Sequence, residues 1–245
     1  MSGRLRYHAT AGDSIGALSA IPVCMLVGYA MERLAYRPLR LAPRLAPLIT
    51  AIGVSIILQH LALLVWSRNN LAFPQIIKTE SYHLGGATIT NVQIAIMVMS
   101  VVMMAGLALL VYRTRLGTAM RATAQNAQVA GLMGIDINRM IAATFVIGAA
   151  LAAVAGVMVG SYYGIAHYQM GALLGLKAFS AAVLGGIGNL PGAALGGLLI
   201  GVIETFAGGI PGVSPYRDGI AFAILILILL FKPAGLLGKS QTEKV

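Results

Sequence analysis

Few side chains in this sequence could do covalent chemistry, and none are grouped for it. The four histidines, His8, His60, His83 and His167, are widely spaced, and Cys24 is the one cysteine. No His-Glu-x-x-His run and no Cys/His spacing suited to a metal is present. Nothing resembles a nucleophile elbow or a Ser-His-Asp triad. Two glycine runs imitate phosphate sites and fail. Gly186 and Gly188 begin a Gly-x-Gly, but Pro191 stands where the dinucleotide turn needs its third glycine. Gly238-Lys239-Ser240 ends like a P-loop, but the first glycine would fall on Pro233 and no strand precedes it. The residues therefore predict no catalytic, cofactor or metal site.

Polar groups set among apolar residues point instead to packing or passage. Thr50, Gly53 and His60 share one helical stripe, with Ser55 and Gln59 on the adjacent one. Such groups either line a path for a polar substrate or hydrogen-bond between helices. Glu204 is either solvated at the interface or the one membrane carboxylate able to couple an ion. Lys177 is expected to snorkel to the outer boundary. Residues 184–201 hold Gly185, Gly188 and two Gly-x-x-x-Gly pairs, Gly192/Gly196 and Gly197/Gly201. They permit close helix approach, and a helix broken there would also free backbone groups to meet a substrate. Gly148, Ala152, Gly156 and Gly160 read as a packing face.

The stretch 113–139 is too polar to span a membrane. As one helix it would align Leu116, Met120 and Ala127 on a weakly apolar stripe and Arg121, Gln125 and Gln128 on a polar one, with Gly117, Gly131 and Gly134 as punctuation. It is either a short helix that docks in a groove of another protein or a solvated connection.

The elements that must position these groups follow from composition. The 245 residues are 58% hydrophobic and 10% charged, with a mean hydropathy of +0.86. A soluble domain carries about a quarter charged residues. Disorder is excluded by the hydrophobicity, and a disulfide scaffold by the lone cysteine. The net charge of +10 lies in short clusters between apolar runs. That distribution suits the loops of a membrane protein better than a nucleic-acid surface.

A spanning helix needs roughly 20 apolar residues. The predicted spans are 14–31, 45–66, 92–112, 140–161 and 215–231. The run 176–206 is too long for one span and is expected to be a hairpin of two short helices, bent over Gly188 to Gly192. With no strand-like alternation, only helices can satisfy the backbone in lipid. The predicted fold class is all-α, a polytopic transmembrane helical bundle with a broken Gly-rich hairpin. Ser214 is expected to cap the last helix, with Pro215 at its first position and Pro233 ending it. The connection 67–91, with Arg68, Pro74, Lys78, Glu80 and Gly85-Gly86, reads as an ordered turn or hairpin that could face a soluble partner outside.

Alternating spans put eleven cations on one side: Arg33, Arg37, Arg40, Arg44, Arg113, Arg115, Arg121, Arg139, Lys232, Lys239 and Lys244. Arg4, Arg6, Arg68, Lys78, Lys177 and Arg217 fall on the other. The richer side is expected to be cytoplasmic and to include the C-terminus. Glu32 and Arg33 would anchor the border on that side.

Several motifs carry a family resemblance. Glu32-Arg33-Leu34-Ala35-Tyr36-Arg37-Pro38-Leu39-Arg40, followed by Pro43 to Ser55, resembles the LivH-type permease of branched-chain amino-acid ABC importers. Gly117-Thr118-Ala119-Met120-Arg121-Ala122 looks like that family's coupling loop. The segments Phe145 to Gly156, Lys177 to Gly197 and Phe231 to Gly238 resemble their family counterparts, in the same order. Residues 14–245 are thus expected to form an importer's permease domain. Residues 1–13 do not resemble the family, and the domain is expected to be incomplete at its N-terminus.

The resemblance implies a permease subunit of the bacterial inner membrane with no hydrolase of its own. It implies a second permease subunit, two cytoplasmic ABC ATPases and a periplasmic or extracellular substrate-binding protein as partners, with no nucleic acid and no cofactor. It assigns ATPase coupling to Gly117, Arg121, Ala122, Asn126, Gly131 and Gly134. Thr50, Ser55, Gln59, Gly185 and Gly188 remain candidates for the translocation path. Branched-chain amino acids lead as substrates, with other amino acids, amides or urea in related permeases. The alternatives are an ion-coupled secondary transporter using Glu204 and, for a truncated chain, a non-conducting membrane scaffold.

Overall fold

The computed structural model describes residues 2–39, 43, 46–66, 68–73, 80–84, 87–212, 214–232 and 234–238. The expectations for Arg40, Arg44, Pro74, Lys78, Gly85-Gly86, Pro233, Lys239, Ser240 and Lys244, and for the side chains of Arg4, Arg6 and His8, lie outside the described residues. Six helical stretches among the described residues are long and apolar enough to cross a membrane: Leu18–Leu39, Ile49–Trp66, Asn91–Arg113, Ile137–Tyr163, Leu190–Gly209 and Ser214–Phe231. Among the described residues, strands occur as two short antiparallel pairs. The chain is an all-α, multi-pass membrane protein. It folds as two compact units, Met1–Tyr168 and Gln169–Val245.

The first unit opens with α1 (Ser2–Met31), which starts earlier than the expected Ser14. The chain does not leave the helix at Met31. It continues through a π turn, Glu32–Tyr36, and a 3-10 turn, Arg37–Leu39. Because the helical path runs on, Glu32 is carried inward to 2% exposure instead of anchoring an exposed border. α1 packs on α6 (Ile137–Tyr163) through a close backbone approach. A Cβ at Gly28 would stand 2.6 Å from Ala149 Cβ and 3.0 Å from the Phe145 carbonyl. Just beyond, the Tyr36 and Phe145 rings lie 4.8 Å apart.

Between these helices run α2 (Ala46–Trp66), β1 (Leu71–Ala72), β2 (Ser81–Leu84), β3 (Ala87–Thr90), α3 (Asn91–Arg113), α4 (Arg115–Gln125) and α5 (Ala127–Leu132). β2 and β3 form the expected hairpin, in register from Ser81↔Thr90 to Leu84↔Ala87. The Thr90 amide donates to Gln93 Oε1 at 3.0 Å, which satisfies an otherwise open donor where α3 begins. α6 ends at Gly164, whose φ of +67° is the left-handed stop that glycine allows. β4 (Ile165–Ala166) then pairs with β1, Leu71 opposite Ala166. The Phe73 amide donates to the Gly164 carbonyl at 2.9 Å. These contacts staple the ends of α2 and α6 together.

The small-residue stripe of α6 departs from expectation. Gly160 is buried against the Phe73 ring, but Gly148, Ala152 and Gly156 are exposed. α1 meets instead the face that carries Phe145 and Ala149.

The second unit contains α7 (Met170–Gly185), α8 (Leu190–Gly209), a 3-10 turn at Ser214–Tyr216 and α9 (Arg217–Phe231). The hairpin turns over Gly186 to Asn189, earlier than expected. Gly186 and Gly188 take positive φ there, +108° and +90°. Asn189 caps α8 by accepting from the Gly192 amide at 3.2 Å, so Pro191 and Gly192 fall inside the first turn rather than in the bend. α8 has 20 residues, about 30 Å at 1.5 Å per residue. It is long enough to span alone, whereas two short helices were expected. α9 begins at Arg217 without a side-chain cap, because Ser214 and Pro215 are taken up in the preceding turn.

α7 and α8 touch backbone to backbone. A Cβ at Gly185 would overlap the Gly192 carbonyl, and one at Gly196 would overlap the Ala181 carbonyl. Ala181, Leu184, Ile200 and Ala221 form the core beside them. The chain after α9 returns to the hairpin tip. The Leu236 amide donates to the Leu184 carbonyl at 2.8 Å and the Leu237 amide to that of Gly185 at 3.1 Å. Asn189 Nδ2 donates to the Leu237 carbonyl at 3.0 Å.

Candidate functional site

The segment between α3 and α6 is not one helix but two, divided at Asn126. Its backbone amide still donates to the Ala122 carbonyl at 3.1 Å, closing α4, while its Oδ1 accepts from the Val129 amide at 3.1 Å, opening α5. One residue thus ends one helix and caps the next. The single stripes expected through Ala127 and Gln128 are broken there. Thr114 caps α4 by accepting from the Gly117 amide at 3.0 Å. Asp136 caps α6 through the Asn138 and Arg139 amides at 3.0 and 3.2 Å.

The candidate coupling residues divide by role. Gly117 is buried, and a side chain there would overlap the carbonyls of Leu110 and Val111, so glycine lets α4 fold back on α3. Arg121 lies over the Tyr112 ring, 5.5 Å from its centroid, a cation–π contact that orients the guanidinium. A Cβ at Gly131 would meet Ile137 Cδ1 at 3.2 Å. Gly134 takes a φ of +84° in open surroundings, so its role is conformational. The most exposed large apolar side chains of this segment belong to neither expected stripe: Leu132 is 88% and Met133 79% exposed. Their adjacency to Gly131 and Gly134 was the available signal, since an apolar pair set in a glycine-bounded turn cannot be buried by its own helix.

The polar residues of α2 bond within their own helix. Thr50 Oγ1 donates to the Ala46 carbonyl at 2.9 Å and Gln59 Nε2 to Ser55 Oγ at 3.1 Å. His60 Nδ1 lies 2.9 Å from the Ile56 carbonyl. Thr50, Ser55 and Gln59 are half-buried on a largely exposed helix. In the second unit Gly185 is buried at the α7–α8 contact, while Gly188 is exposed at the hairpin tip. The coupling candidates thus share one segment of the first unit; of the path candidates, Thr50, Ser55 and Gln59 belong to the first unit and Gly185 and Gly188 to the second.

A charged cluster was not anticipated. Lys177 Nζ donates to Glu204 Oε2 at 2.9 Å and to Asp218 Oδ1 at 2.8 Å, tying α7, α8 and α9. Lys177 does not snorkel outward, because two carboxylates within its reach hold it at 19% side-chain exposure. Glu204 is paired rather than simply solvated, and its Oε1 is buried without a hydrogen-bond partner. Among the described residues no group of three or more His, Cys, Asp or Glu could hold a metal ion.

The family described as the permease component of branched-chain amino acid transport systems matches residues 5–229. The chain is 48% identical over 231 residues to the high-affinity branched-chain amino acid transport system permease protein BraD of Pseudomonas aeruginosa, covering 93% of this chain and 75% of that protein. It is 43% identical over 234 residues to the corresponding permease protein LivH of Salmonella typhimurium, covering 94% and 76%. With LivH of Escherichia coli it shares 42% over 237 residues, again 94% and 76%. No solved structure matches the chain.

Proposed function

The chain belongs to the family of branched-chain amino acid transport permeases, and from that premise we propose that it forms part of the pore of an ATP-driven importer for branched-chain or related amino acids. It is a transporter subunit, not an enzyme, in a bacterial inner membrane. A second permease subunit completes the pore, two ATPases dock on its cytoplasmic side, and a substrate-binding protein delivers the amino acid from outside. The C-terminus is cytoplasmic, in keeping with the excess of cations assigned to that side.

The observation that carries this reading is the α4–Asn126–α5 pair. It lies outside the long apolar helices, is fixed at both ends by side-chain caps, and presents Leu132 and Met133 to the surroundings. A capped helix pair with an exposed apolar pair at its end suits insertion into a groove of a cytoplasmic partner. Closure of the ATPase pair would push on α4 and α5, and Gly117 passes that push to the last turn of α3 with no side chain between them. The Lys177–Glu204 pairing supports this reading over an ion-coupled carrier, since Glu204 already has a resident cation.

Co-purification of the ATPases with the tagged permease tests the proposal. Leu132→Glu with Met133→Glu should reduce captured ATPase at least tenfold, and deletion of 121–131 should abolish capture, with the permease still in the membrane. Undiminished capture would overturn the coupling assignment.

A further inference from the structure

Where α2 and α6 end side by side, the first unit contains a cavity of about 240 Å³. Its walls are mostly apolar: Ala62 and Trp66 from α2, Leu71 from β1 and Ala166 from β4. Asn69, His167 and Tyr168 bring polar groups to the same space. The β1–β4 pairing and the Phe73–Gly164 bond set the walls in place. The His167 and Tyr168 rings lie 4.4 Å apart, so each restricts the other.

We propose that this cavity is a receiving site for one amino acid with a neutral, branched apolar side chain, on the side from which substrate is delivered. The inference rests on the transport reading above and adds to it a place and a set of residues. Size is the first argument. Sites for drug-sized ligands run from about 300 to 1,000 Å³, so this smaller space suits a single small amino acid. Chemistry is the second. The indole of Trp66 with Leu71 and the two alanines offers apolar contact, while the Asn69 amide supplies both a donor and an acceptor for the ends of a zwitterion. Among the described residues, no Lys, Arg, Asp or Glu lines the cavity. The Trp66 and Leu71 side chains are open to the surroundings on one face, so water can keep the ends of the zwitterion solvated, while a charged side chain laid on these apolar walls would lose water and gain only apolar contact. Position is the third. α6 has 27 residues, about 40 Å of helix, with the α4–α5 segment before its first turn and the cavity after its last.

Trp66 is the only tryptophan in the chain, so it reports on its own site. The purified chain in lipid nanodiscs would be titrated with leucine, isoleucine and valine, and with glutamate and lysine for comparison. The expected result is a saturable blue shift of Trp66 emission with the branched amino acids alone. Ala166→Phe and, independently, Ala62→Phe would fill the cavity. Each should remove the response and lower leucine uptake by the assembled importer roughly tenfold at saturating binding protein, a loss typical of misfit in an apolar pocket. A flat wild-type titration, an equal response to glutamate, or unchanged uptake in an assembled phenylalanine variant overturns the site. The two readings fail separately. A purified chain whose Trp66 responds to leucine, in a system whose assembled complex transports no branched-chain amino acid, overturns the transport reading and leaves the cavity a leucine site.

Discussion

At the scale of single residues, Lys177 has the most demanding surroundings. One ammonium holds two carboxylates that lie 27 and 41 positions away in sequence. Arg217 stands 3.9 Å from Asp218, too far and too exposed to replace it. Removing the cation from this cluster leaves Glu204 with one oxygen buried and unpartnered and the other newly unpaired. Breaking a fully buried pair costs about 3–5 kcal/mol; partial solvent screening of this cluster lowers that to about 2 kcal/mol. Lys177→Met should therefore lower the apparent Tm of the detergent-purified protein by several degrees. Glu204→Gln in the same chain should recover part of the loss, because a neutral amide is cheaper to leave uncompensated. Equal Tm values for wild type and Lys177→Met would show that the cluster contributes no stability. Each of these charges was visible in sequence, but a spacing of 27 or 41 residues has no periodicity that announces a contact.

At the scale of elements, the glycine pairs show how far a motif carries. Gly192/Gly196 and Gly197/Gly201 have the same spacing, and both promise close helix approach. Among the described residues of the second unit, the first pair alone delivers it. Gly196 abuts the Ala181 carbonyl, whereas the nearest atom to a Cβ at Gly197 is Ala181 Cβ at 3.8 Å, and Gly201 has nothing within 4 Å. Gly196→Ala should push α7 from α8 at a cost of about 1–3 kcal/mol, while Gly197→Ala should be tolerated. Thermal unfolding of the two variants side by side decides the matter, and equal losses would mean that backbone contact is not what the glycines provide. The division of the α4–α5 segment was hidden for a different reason. Its alanines favour continued helix, and only the capping geometry of Asn126 reveals the break.

At the scale of the whole molecule, orientation joins the fold to the function. On a Cys24→Ser background, a membrane-impermeant maleimide should label Asn69→Cys in intact cells and Leu132→Cys only in inverted vesicles. The reverse pattern would place the α4–α5 segment outside and remove its access to a cytoplasmic ATPase. What the sequence determined by itself was class and punctuation: long apolar runs, the loops that carry cations, the Gly-rich hairpin and the family to which the motifs belong. These are local properties, because hydropathy, helix caps and glycine turns act over a few neighbouring residues. Tertiary structure alone decided that Glu32 is buried, that Lys177 pairs with Glu204 and Asp218, that one small-residue stripe packs and another stays open, and that Trp66 and His167 share a cavity. Those outcomes depend on which helix faces are brought together, and contacts between distant faces leave no mark in the periodicity of either helix.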